Sequence, residues 1–391
     1  MRHGTPPPLA GGDAPPLASR RQWLLQGAGA TLGSALLLAL WPAGAAQALA
    51  PRTLRFPRDH GSHPDLRTEW WYITGHALAG GRPFGFQVTF FRSRVEATQR
   101  LQSAFAARQL VFAHAALTDL QGRKLHHDQR IARAGFGIAE AAEADTDVRL
   151  RDWQLLREDG PTPGSSRYTA RVQAARFALD LRFDTTQPVL LQGSAGLSRK
   201  GPDAAQASYY YSQPQLAVSG YITLEGQRLP VATDGPPQSR RAWLDHEWSE
   251  ALMHPEAVGW DWIGMNLDSG AALTAFRLRR ADGSALWAGG SWRAGADAAP
   301  RIFGADEVRF TPQRVWQSGA TGARYPVAWQ VETPAGRFTV RALLDDQELD
   351  SSSSTGAVYW EGLSELRDAA GSAVGQGYLE MTGYAQRLRL G

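Results

Sequence analysis

The chain is 391 residues long, has no cysteine and carries 41 basic against 38 acidic side chains. Disulfides are excluded, so an apolar core must hold whatever fold it adopts. Arg2, Arg20 and Arg21 against Asp13 account for two of the three excess positive charges. The chain beyond residue 48 is therefore nearly neutral, which argues against a nucleic-acid partner, since that would need a basic face.

The N-terminus carries the first signal. Residues 1–18 are rich in Pro, Gly and Ala, a composition that favours disorder. Ser19-Arg20-Arg21-Gln22-Trp23-Leu24-Leu25 then sets a twin arginine before an apolar run that reaches about Trp41 and is broken by Pro42. Ala46-Gln47-Ala48 has the small-x-small pattern that a signal peptidase cuts. Residues 1–50 are thus predicted to be a twin-arginine signal peptide, and the destination periplasmic or secreted. An uncleaved anchor is the alternative, because the run approaches the length that spans a bilayer.

Beyond residue 50 the fourteen Trp and fourteen Phe, with frequent Gly, favour strands. Trp71-Tyr72-Ile73-Thr74-Gly75-His76-Ala77-Leu78, a loop at residues 79–83 and the alternating Phe84-Gly85-Phe86-Gln87-Val88-Thr89-Phe90 predict a β-hairpin. Residues 139–145 fit either a short helix or an acidic loop. Phe177-Ala178-Leu179-Asp180-Leu181-Arg182-Phe183 alternates with period two. Residues 341–346 and the serine run 351–354 read as a strand entering a polar loop.

Compared with itself, the chain repeats. Trp71-x-x-x-Gly75-x-x-Leu78 matches Trp260-x-x-x-Gly264-x-x-Leu267, each after an acidic-Trp pair, Glu69-Trp70 and Glu247-Trp248. Arg176-Phe177 matches Arg337-Phe338, residues 190–193 match 359–362, and residues 216–221 match 379–384. The expected fold class is all-β: two tandem barrels packed together, one over residues 51–235 and one over 236–391, with the seam at the turn-rich residues 232–237.

Several motifs carry a family resemblance. Arg55-Phe56-Pro57-Arg58-Asp59-His60-Gly61-Ser62-His63-Pro64 running into Glu69-Trp70-Trp71-Tyr72, Phe112-Ala113-His114-Ala115, Tyr209-Tyr210-Tyr211-Ser212, Asp245-His246-Glu247-Trp248, Gly259-Trp260-Asp261-Trp262, Tyr359-Trp360-Glu361-Gly362 and Gly377-Tyr378-Leu379-Glu380 together resemble the carotenoid 1,2-hydratase and AttH-like family. The resemblance spans about residues 55–385 and implies two lipocalin-like barrels. It does not single out an activity, because it embraces carotenoid hydratases, fungal hydratases, cyclisation catalysts and exported bacterial members labelled only as hydrolases.

Asp245-His246-Glu247-Trp248 is the first candidate for chemistry. On a strand His246 and Trp248 share one face and Asp245 and Glu247 the other. Hydrating an isoprenoid double bond needs an acid and a ring face that stabilises a cation. Asp245, His246, Trp248 and Asp261 are the expected catalytic group; a satisfied polar network is the structural alternative. Glu69, Trp70, Tyr72, His114, Tyr210, Trp260, Trp262, Trp360 and Glu361 are the expected substrate contacts. Trp71 reads as core, and Glu69 as a partner of Arg67 or Arg92 or a cavity residue.

No metal and no cofactor is expected. His60, His63, His76 and His114 lack ligand spacing. No nucleophile elbow or phosphate loop occurs. Three functions stay open: a hydratase-like lyase or secreted hydrolase acting on a hydrophobic small molecule; a lipid carrier or chaperone serving an envelope ABC transporter, with peripheral membrane contact; and an adaptor with filled barrels. The export signal departs from carotenoid hydratases and shifts weight to the carrier.

Overall fold

The computed structural model describes Met1 and residues 48–251 and 253–388. The expected signal segment lies, but for Met1 and its last three residues, outside those described. Among the described residues no helix is long and apolar enough to cross a membrane.

Two antiparallel sheets make up the fold. The first holds β1 (Thr68–Ala79), β2 (Arg82–Arg94), β3 (Gln109–Asp119), β4 (Lys124–Arg133), β5 (Ala139–Ala141), β6 (Asp147–Leu150), β7 (Trp153–Asp159), β8 (Ser166–Gln173), β9 (Phe177–Asp184), β10 (Leu190–Leu191), β11 (Leu197–Arg199), β12 (Ala207–Leu224), β13 (Gln227–Pro230) and β14 (Arg241–Ser249). The second holds β15 (Gly259–Leu267), β16 (Ala272–Arg279), β17 (Ala285–Arg293), β18 (Arg301–Phe303), β19 (Arg309–Gln317), β20 (Arg324–Thr333), β21 (Gly336–Ala342), β22 (Glu348–Ser351), β23 (Ala357–Arg367) and β24 (Ala373–Met381). Each sheet curls around its own core: Trp71, Phe86, Trp153 and Phe183 fill the first, and Tyr325, Trp329 and Trp360 the second. These are two lipocalin-like barrels, with side chains where a hollow calyx would be.

The strand orders are β4-β3-β2-β1-β14-β12-β9-β8-β7-β6-β5 and β18-β17-β16-β15-β24-β23-β21-β20-β19. Over their first nine positions they have the same connectivity, as duplication of one module requires. The topology corrects how the repeats align. Glu69 sits opposite Arg92 in the first sheet and Asp261 opposite Arg277 in the second, so Glu69 answers to Asp261 and Trp70 to Trp262. The sequence match of Trp71 with Trp260 is off by an odd number of residues, which turns the paired side chains to opposite faces. The Phe177 and Phe338 strands, β9 and β21, are true counterparts. The other two matches join strands that are not.

The seam also moves. Residues 232–237 connect β13 to β14 inside the first sheet, because β14 pairs with β1 and β12. The chain passes to the second sheet between Ser249 and Gly259. The hairpin at residues 71–90 is present; Gly80 and Gly81 turn it at φ +54° and +78°, values that suit glycine. Residues 139–141 form a strand rather than a helix.

Burial separates two kinds of strand. In β9 Phe177, Leu179, Leu181 and Phe183 are buried while Asp180 and Arg182 are exposed, the alternation of a sheet with one wet face. In β1 and β14 nearly every residue is buried, because their outer faces meet the second barrel. There Tyr72, Trp243, Trp262, Phe276, Leu363 and Tyr378 form a third apolar cluster drawn from both sheets. Gly85 lets the barrels close: a Cβ there would lie 2.7 Å from the Tyr378 hydroxyl and 2.9 Å from Leu363 Cβ.

Candidate functional site between the barrels

The outer faces of β1, β12 and β14 and of β15, β23 and β24 enclose a cavity of about 150 Å³, enough for a group the size of a benzene ring. Strand parity decides what enters it. Trp70 and Tyr72 of β1, Tyr210 of β12, Asp245 and Glu247 of β14, Trp260 and Trp262 of β15, Glu361 of β23 and Glu380 of β24 all line it, with His114, Lys200 and Phe276.

Its carboxyl groups are held in unequal ways. Asp245 accepts from Tyr210 Oη at 2.7 Å, Ser212 Oγ at 2.5 Å and Trp243 Nε1 at 2.7 Å. Burial raises its pKa to about 7 against the lowering effect of these donors. Glu361 and Glu380 lie directly opposite one another in the β23–β24 ladder, a costly placement for two like charges. Burial, and for Glu361 the charge of Glu380, pushes Glu361 well above the usual carboxyl range. Burial, helped by Asp245 and Glu247, brings Glu380 to about 7. Glu361 Oε1 and the Tyr72 hydroxyl lie beside one another, and neither makes a hydrogen bond of ordinary geometry. Glu247 Oε1 pairs with Lys200 Nζ at 2.9 Å, and that ammonium lies 4.5 Å from the Tyr210 ring centroid and 4.4 Å from that of Phe276. His114 meets Tyr359 Oη at 2.8 Å and Ser354 Oγ at 2.9 Å; burial lowers its pKa to about 3, which leaves it neutral. The cavity thus offers neutral carboxylic acids, able to give and regain a proton near pH 7, against ring faces.

His246 and Trp248 point the other way, into the first barrel. His246 Nε2 meets Glu69 Oε1 at 2.9 Å, and its Nδ1 faces Tyr211 Oη at 3.2 Å. His63 Nδ1 reaches the same Glu69 oxygen at 2.7 Å, and its ring stacks on Trp248 at 3.9 Å. Arg92 Nε binds Glu69 Oε2 at 2.9 Å, and its other nitrogens reach Gln109 and the carbonyls of His63 and Leu66. Burial would raise the Glu69 pKa, but hydrogen bonds from His246 and His63 outweigh it and hold the carboxylate ionised. Burial takes His246 down to about 4, so it is a neutral donor to Glu69. Of these residues only Trp248 leaves a polar atom, its indole N–H, without a partner.

His63, Glu69 and His246 bring three metal-type donors within 4.8 Å of one another, from positions too scattered for sequence spacing to reveal. Their hydrogen bonds to each other, and Arg92 beside them, describe a network closed on itself.

Asp261 faces the second core. Its Oδ2 lies 2.7 Å from Arg277 Nε and 3.2 Å from Arg279 Nε, and its Oδ1 accepts from Tyr384 Oη at 2.8 Å. Two guanidinium groups flank it where an aromatic wall was expected. Trp360 is also core, donating to the Asp345 carbonyl at 2.7 Å. The expected catalytic group is therefore divided: Asp245 reaches the cavity, His246 and Trp248 the first core, Asp261 the second. Of the expected contacts Trp70, Tyr72, His114, Tyr210, Trp260, Trp262 and Glu361 line the cavity, while Glu69 and Trp360 do not. Sequence reasoning passed over Glu380, Lys200 and Phe276. Glu380 stands alone among apolar strand residues, and Lys200 is one of only two lysines in the chain; those were the available signals.

The profile of the AttH-like family matches residues 47–384. A candidate AttH from Nitrosomonas europaea, known as a crystal structure, is 46% identical, with a TM-score of 0.78 over 87% of this chain and all of that one. Kievitone hydratase from Nectria haematococca shares the fold at 15% identity, with a TM-score of 0.65 over 85% of this chain and 94% of its own. The dehydratase asqC of Emericella nidulans is 24% identical over 185 residues, 43% of this chain and 46% of that protein, so the match spans about half the length of that relative. The match along nearly the whole chain beyond residue 46, on a double barrel of the same design, places this protein in the AttH-like family.

Proposed function

We propose that the cavity between the barrels adds water to, or removes it from, a carbon–carbon bond of a small hydrophobic molecule. The observation that carries this reading is Asp245, a buried carboxyl held near pH 7 by its surroundings and turned toward an aromatic wall. The protonated Asp245 gives its proton to one alkene carbon, the π pair forming the new C–H bond. The neighbouring carbon becomes cationic against the faces of Trp70, Trp260 and Trp262. Water attacks it through oxygen and releases a proton to an ionised carboxylate of the cavity; run backwards, the same steps eliminate water. Water elimination is the reaction named for asqC, and water addition that named for kievitone hydratase.

A carrier would have to use the same space, because tryptophans fill both barrels, and a passive apolar sleeve has no need of acids titrating near neutrality. The twin arginine and the cleavage-like site support placing this chemistry outside the cytoplasm.

The test is turnover of short isoprenoid alkenes in H₂¹⁸O. The wild type should incorporate ¹⁸O into a tertiary alcohol, and Asp245→Asn should lose about 100-fold or more in rate. An Asp245→Asn variant as fast as wild type, or a wild type that hydrates none of them, would contradict the proposal.

A further inference from the structure

We propose that this cavity is a recognition site for a small organic cation, a substituted ammonium group seated between Glu361, Glu380 and the rings of Trp70, Tyr72 and Trp260. The inference rests on the cavity being the working site, as above, but not on water being added or removed there.

The cavity itself supplies the precedent. The chain has placed an ammonium of its own there: Lys200 Nζ is paired with Glu247 at 2.9 Å and lies over the rings of Tyr210 and Phe276. Elsewhere in the lining the same chemistry recurs without a cation. Glu361 and Glu380 are opposed across one ladder, aromatic rings stand around them, and neither carboxyl has an ion-pair partner among the described residues. Glu361 is 2% exposed; the Tyr72 hydroxyl lies against its carboxyl, yet Oε1 makes no hydrogen bond of ordinary geometry. A buried acceptor left open in this way is costly unless a ligand completes it. A cation would do so twice, by pairing with the carboxyls and by lying on ring faces.

The titratable groups facing this space are Asp245, Glu247, Glu361, Glu380, Lys200, His114, Tyr72, Tyr210 and Tyr359. His114 stays neutral above pH 6, and burial raises the three tyrosines. The groups that change charge around neutrality are thus Asp245 and Glu380, and protons compete with a cation for them. Affinity should rise with pH.

The experiment is calorimetric titration of the purified protein with choline and with 3,3-dimethylbutan-1-ol, its neutral isostere, at pH 6 and pH 8. Choline should bind about tenfold more tightly than the isostere at pH 8, and more weakly at pH 6. Glu361→Gln with Glu380→Gln should bring the two ligands within about twofold. Should that double variant not fold, the pH series on the wild type decides alone. Equal affinities at pH 8, tighter choline binding at pH 6, or no choline binding would overturn the proposal. Charge discrimination without alkene hydration would remove the hydratase reading and keep this one; hydration without discrimination would do the reverse.

Discussion

Neighbouring residues of β14 live in opposite circumstances. Asp245 and Glu247 look out on the cavity between the barrels; His246 and Trp248 look into the first barrel. Both faces are buried and both are polar, so burial and composition do not distinguish them. Completion does. On the inner face Glu69 has Arg92, His63, His246 and Ser62 around its two oxygens, and the space is filled by rings. On the outer face two carboxyls sit opposite each other without a counter-charge, an acceptor is open and there is room for a ligand. A closed network is what a fold uses to fix strand positions. An open one has a cost in the folded state that only a ligand or a reaction accounts for.

Breaking the inner face should hurt stability most. Glu69→Gln leaves the Arg92 guanidinium buried without its counter-charge, and loss of about 3–5 kcal/mol is expected, read as a lower urea midpoint at pH 7. The ionised Glu69 has a lowered pKa, so its contribution is present above its ordinary value of 4.5 and is lost as the pH falls below it. A variant as stable as the wild type would mean that the network does not hold the barrel.

The outer face should respond with the opposite sign. The Asp245 pKa is raised from 3.8 to about 7, so between those values the folded chain keeps a proton that the unfolded chain has released. Stability from this group therefore falls as the pH rises through that window. Asp245→Asn removes the penalty. It should match the wild type at pH 4 and exceed it by up to about 4 kcal/mol at pH 8, in paired urea titrations. Gaining stability while losing turnover is the mark of a residue kept for function. A variant less stable than wild type at pH 8 would place Asp245 with the inner network instead.

Much of this was legible beforehand. Period-two runs such as residues 177–183 gave strands, and parity alone separated Asp245 and Glu247 from His246 and Trp248. Which face met a cavity was not legible, because β14 is buried on both sides and alternation no longer marks inside from outside. Residues 232–237 have a linker's composition, yet they only turn β13 into β14; nothing local says that β14 will pair with β1, some 170 residues earlier. Asp261 looked like an acid between two tryptophans, but its neighbours across the ladder are arginines, and cross-strand partners cannot be read along the chain. Glu361 and Glu380 become a pair only through the register of β23 and β24.

The proposed chemistry turns on the protonation of Asp245. Aspartate carboxyl ¹³C shifts followed by NMR from pH 3 to pH 9, in the wild type and in Asp245→Asn, measure it directly. One aspartate should titrate near pH 7 in the wild type and vanish from the variant's spectrum. If every aspartate titrates below about pH 5, within the ordinary carboxyl range, then Asp245 is an ionised structural residue and the acid chemistry assigned to the cavity is contradicted.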